Sequence, residues 1–145
     1  MNIQNKLSKL FEENQKLNII IPDSVNDEQK IFINEVIKYI KNYLNIPSFP
    51  TIIFTDDRSI AEMTTGSYIP DEDTLYVYIK NRALCDYLKT LAHELTHYKQ
   101  HIENRIPENL NGRDENLEAE ANIEAGNIIY DFAHLDDKNQ KIYEL

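Results

Sequence analysis

Residues His93-Glu94-Leu95-Thr96-His97 spell H-E-x-x-H. On a helix, positions i and i+4 lie one above the other on the same face. Two imidazoles with that spacing can reach one zinc ion. The glutamate between them can hold a water and take its proton. The pattern points to a zinc-dependent hydrolase of the peptidase kind, with Glu94 as general base. With four His in 145 residues, an accidental H-E-x-x-H is expected in only about one such chain in a hundred.

The surrounding residues predict the element that carries the motif. Leu84, Leu88, Leu91, Leu95, Tyr98 and Ile102 recur at spacings of three and four, the mark of a core-facing helical stripe from Arg82 to about Asn104. His93 and His97 fall on nearly the opposite side, with Asp86 and Thr90. A catalytic zinc needs a third protein ligand. The metzincin arrangement, a Gly and then a His just past the motif, is absent, since Tyr98-Lys99-Gln100-His101-Ile102-Glu103 follow His97. A second helical segment, from about Asp114 to Ala133, carries Glu118-Ala119-Glu120-Ala121-Asn122. Its acidic start also suits a helix N-terminus through the macrodipole.

The combination resembles the gluzincins, the H-E-x-x-H metallopeptidases whose third ligand is a Glu on a later helix; among these it is closest in plan to small, minigluzincin-like members. Their glutamate helix commonly reads E-x-x-A/S followed by Asp or Asn. Glu118, Ala121 and Asn122 match it, with Glu118 lying 21 residues after His97. The resemblance implies a Zn²⁺ held by His93, His97 and Glu118, with Asn122 hydrogen-bonding a ligating His. Glu120 is the competing carboxylate. It lies about 200° around the helix from Glu118, so only one of the two can face the metal. The resemblance also implies an oxyanion-stabilising His, Tyr or Arg. His101, Arg113, His134, Tyr68 and Tyr143 are the candidates, and His101 reads better as a surface histidine.

The remaining chain predicts an α+β fold. Its plan is a small, mostly antiparallel or mixed three-stranded sheet, then the H-E-x-x-H helix and the glutamate helix, with helices at the N-terminus. The whole chain, 1–145, reads as one zincin-like domain, with a helical region over 1–45 and the catalytic core over 51–133. Residues 2–14 and 27–44 have helical spacing, and Ser24 to Asn26 supply caps. The apolar run from Leu17 to Ile21 suits a short strand or an extended connection. Thr51–Thr55 reads as a strand. Gly66–Ile69 and Thr74–Ile79 read as a hairpin across Pro70-Asp71-Glu72-Asp73. Within Thr74–Ile79, Leu75, Val77 and Ile79 alternate with Thr74, Tyr76 and Tyr78. By resemblance to zincins, this edge strand would hold a peptide or protein substrate by main-chain pairing.

A net charge of −10 argues against nucleic-acid and anionic-membrane partners. No apolar run reaches membrane-spanning length, and the first residues lack a secretory signal, so a cytoplasmic location is expected, with export or virion association as the alternative. Cys85, the one cysteine, reads as a packed thiol. The competing functional expectation is a non-catalytic structural or regulatory component on a zincin fold, of the kind found in phage and mobile-element assemblies.

Overall fold

A computed structural model describes residues 2–61, 63–107 and 114–145. Asn26 opens the first long buried helix. Its side chain accepts from Gln29 N, while the Gln29 side chain accepts from Asn26 N, so two end groups are satisfied reciprocally. That helix, α2 (Asp27–Leu44), ends on Asn45 in the left-handed region. It is preceded by α1 (Ile3–Leu17) and the two-residue strand β1 (Ile19–Ile20). Strands β2 (Thr51–Thr55), β3 (Gly66–Ile69) and β4 (Thr74–Tyr78) follow, then the long helices α3 (Leu84–Ile102) and α4 (Glu115–Leu135). A 3₁₀ segment over Asp137–Tyr143 closes the chain and buries Ile142.

The sheet has four strands in the order β1-β2-β4-β3. β1 and β4 pair with β2 in parallel, and only β3 is antiparallel to its neighbour. The sheet is therefore mixed, one of the two forms expected, but mostly parallel, and it has four strands rather than three. The Leu17–Ile21 run supplies the extra strand. Two parallel neighbours cannot be joined by a tight turn, and α2 is the crossover that returns the chain from β1 to β2.

β4 was expected at the sheet edge and is instead internal, hydrogen-bonded to β2 on one side and β3 on the other. Its buried run Leu75, Tyr76 and Val77 fits that central place. Period-2 alternation reports which face a side chain takes; it says nothing about how many neighbours the strand has. The outer edge beside α3 belongs to β3. The turn joining β3 to β4 runs through Pro70–Glu72 to Asp73, whose φ of 47° places it in the left-handed region.

Leu84, Leu88, Leu91 and Leu95 of α3 are fully buried and Tyr98 nearly so, which gives that helix its apolar back. Ile102, the last residue of the expected stripe, is 37% exposed because the helix ends there, past the core. Ile33, Val36, Ile37, Ile40 and Leu44 of α2 join the same buried cluster. The N-terminal region is thus split. α2 is core, whereas among the described residues of α1 none is fully buried. Among the described residues no helix is long and apolar enough to cross a membrane.

Because α2 packs into the core that supports α3, Ile37→Ala is expected to destabilise the protein by about 2–5 kcal/mol. Denaturant unfolding measures this directly. A loss below about 0.5 kcal/mol, the size of an ordinary surface change, would show α2 to be an appendage.

Candidate metal centre

His93 and His97 stand one turn apart on the polar side of α3, and their rings meet edge to face at 4.7 Å. Opposite them is α4. Its N-cap, Asp114, accepts from Asn116 N and Leu117 N, which sets the first turn. Glu118 lies one turn further on. Its Oε1 is 3.0 Å from His93 Nε2 and its Oε2 is 2.8 Å from His97 Nε2. The two Nε2 atoms are 3.1 Å apart. The acidic first turn therefore serves two ends: it suits the helix dipole and it delivers a carboxylate to the histidine pair.

These three residues form a group whose ligand atoms could hold one metal ion. The fit is a matter of distances and donor type. Bonds of about 2.0–2.2 Å at tetrahedral angles put donor atoms about 3.3 Å apart. The observed separations fall a few tenths of an ångström short of that, within the reach of small side-chain rotations. Two imidazoles and a carboxylate, all partly shielded from solvent, are a donor set suited to zinc.

Glu120, the rival carboxylate, is turned away. Its two oxygens take a fork-like pair of hydrogen bonds from Arg105, at 2.8 and 2.5 Å. Those bonds hold its carboxyl below the ordinary range. Asn122 lies on the His93 side, and its hydrogen bond favours the charged ring. Burial outweighs that help, aided by repulsion from His97, and the pKa of His93 is lowered.

Glu94 is mostly buried and faces the same cleft as His93 and Glu118. Three neighbours that shape this cleft carry no motif of their own. Gly66, at the start of β3, sits so close to α3 that a Cβ there would lie 2.5 Å from Thr90 Cγ2 and 3.3 Å from Glu94 Cγ. Thr90 has little freedom to yield, since its hydroxyl donates to Asp86 O and accepts from Arg82. Arg82 also donates to Tyr78 O at 2.7 Å and Thr65 O at 3.4 Å, tying the end of β4 and the approach to β3 onto α3. The third neighbour is Gln100, fully buried, whose Oε1 lies 2.8 Å from His97 Nδ1. In the sequence, the one available hint was scarcity: the chain has three glycines.

None of the oxyanion candidates among the described residues is brought to the triad. Tyr68 packs on Tyr98 and His101, and its hydroxyl donates to Asp73. His101 is an exposed residue one turn beyond His97, as its surface reading anticipates. His134 stacks on Tyr130, about 24 Å along α4 from Glu118 at 1.5 Å per residue. Tyr143 is half exposed in the C-terminal 3₁₀ segment. Arg113 lies outside the described residues. Cys85 is partly buried against the core, and burial pushes its thiol pKa up, which suits a packed and unreactive group. In comparisons with known proteins, no protein family, no curated protein and no solved structure matches this chain.

Two expectations follow from the geometry. Glu118→Ala should abolish stoichiometric zinc binding while Glu120→Ala retains it, as read by metal analysis of the purified proteins; the reverse result would reassign the third ligand. The second concerns acid. His93 has a folded-state pKa below its ordinary 6.5. The unfolded chain therefore takes up that proton first, and the stability involved is fully present above 6.5 and lost as pH falls through the lower folded value. In metal-free protein, denaturation at about pH 7.5 and about pH 5.5 should show a loss that His93→Gln reduces. An equal loss in the variant would contradict this assignment.

Proposed function

We propose that this protein is a zinc-dependent peptidase that cleaves peptide bonds with a water activated by Glu94. The observation that carries the reading is the convergence of His93, His97 and Glu118 beside the Glu94 carboxylate in one cleft. When bound, zinc supplies Lewis acidity, which polarises a carbonyl and brings the pKa of a water towards neutrality.

The chain's own residues do the rest. His93, His97 and Glu118, which line the cleft, would hold the ion. Glu94 takes a proton from the attacking water and returns it to the leaving amine. Its partial burial suits a carboxylate that must alternate between charged and neutral forms. Gly66 lets β3 lie directly against α3 at Thr90 and Glu94, so the reacting groups sit under the sheet edge.

A peptide substrate has an available main-chain template in β3. Among the described residues the outer side of this strand has no partner in the sheet, and Gly66 and Ser67 line the cleft over the triad. The pairing role expected of Thr74–Ile79 passes to this neighbour. Main-chain pairing gives affinity that is largely independent of side chains, which suits a site whose immediate lining is small and polar.

Glu94→Gln keeps the shape of the site and removes the base. It is expected to bind zinc one-to-one as the parent does and to lose peptide hydrolysis on the order of 100- to 10,000-fold, measured with a quenched fluorescent peptide mixture. Undiminished cleavage would refute the assigned base. A parent protein that binds zinc yet cleaves nothing would favour the structural or regulatory role instead.

A further inference from the structure

From the hydrogen-bond pattern behind the histidine pair, we infer that Gln100 is the positioning residue of the metal centre: it selects the metal-ready tautomer of His97 and registers α4 so that Glu118 reaches the site. This builds on the metal-site reading, while its test is independent of hydrolysis.

The orientation of the Gln100 amide follows from its partners. One end of the amide lies 3.0 Å from Leu117 O, a carbonyl that can only accept. That end must be the nitrogen. The Glu120 carboxylate, another acceptor, also takes a hydrogen bond from the Gln100 side chain. The amide oxygen is thereby committed to His97 Nδ1, at 2.8 Å. An oxygen there favours the proton on Nδ1, while Glu118 Oε2, 2.8 Å from Nε2, competes for it until a cation occupies the site. Nε2 is the atom that faces His93 and Glu118.

The same side chain, itself on α3, therefore links both ligand-bearing helices. It holds the His97 ring, and it holds the α4 backbone at Leu117, the residue before Glu118. Arg105 grips Glu120 two residues beyond. Glu118 is bracketed on both sides, which fixes the register of α4 against α3. Gln100 is 0% exposed, so its amide is committed to these protein partners. On the other ring, His93 depends on Asn122, an exposed residue, and that support is the weaker of the two.

Two measurements test this. The first is nitrogen-15 NMR of the His97 ring in metal-free Glu118→Ala protein, which lacks the rival acceptor at Nε2, at a pH where both rings are neutral. With Gln100 in place the proton should sit on Nδ1, and adding Gln100→Met, which has similar length and no hydrogen bonds, should move it to Nε2. The second is zinc affinity of the protein with Glu118 intact, by competition with a chromophoric chelator, where Gln100→Met should bind about 10- to 100-fold more weakly. A ring protonated at Nε2 with Gln100 in place would overturn the inference, and so would Gln100→Met with unchanged tautomer and affinity. If Gln100→Met does not fold, the ring measurement with Gln100 in place decides alone. Neither readout involves peptide cleavage, so an inert but zinc-binding protein would fail the peptidase reading and leave this one standing.

Discussion

Two imidazole nitrogens and the two oxygens of one carboxylate meet at contacts of 3.1, 3.0 and 2.8 Å. Ring N–H groups can satisfy the contacts to the carboxylate, whereas a divalent ion could draw a donor from all three side chains at once. The architecture makes this meeting possible. α3 presents the two rings, α4 presents the carboxylate, and the core behind them keeps the two helices from drifting apart.

The core does this with ordinary means. The leucine stripe of α3 is buried against β4 and α2, and the small residues Ala121, Ala125 and Ala133 on the inner side of α4 let it approach closely. Close packing transmits position faithfully, since a well-packed interior has little slack. The polar cross-links then refine the register that packing leaves coarse: Gln100 to Leu117, Arg105 to Glu120, and Arg82 to Tyr78 and Thr65. Their partners are mostly backbone carbonyls, so they fix where a segment lies without specifying its side chains.

The cleft is assembled from parts with different histories in the fold. Its floor is helical and its upper rim is β3, a short antiparallel strand appended to an otherwise parallel sheet. Putting the antiparallel strand outermost leaves one set of main-chain groups available beside Glu94. An unpaired edge of this kind is a liability in a protein with nothing to place there, and a useful surface in one that binds extended chains. The four residues of β3 keep that edge short.

Local rules carried much of the reading. The i, i+4 spacing placed His93 and His97 on one face because helical geometry allows nothing else. The spacing of α2, its Asn26 cap and the hairpin through Asp73 were equally local, and each was legible from neighbouring residues. The placing of Glu118 rather than Glu120 beside the histidine pair was half legible: the sequence showed that only one could face the pair, and Arg105 engages Glu120 from across the helix pair. The rank of β4 within the sheet, the fourth strand, and the close approach at Gly66 were decided by tertiary structure. Each depends on which distant segment comes alongside, and a residue's own pattern of faces carries no record of that. Gln100 is the clearest case. In the sequence it is a polar residue three places past His97; its role exists only because α4 brings a backbone carbonyl to its other end.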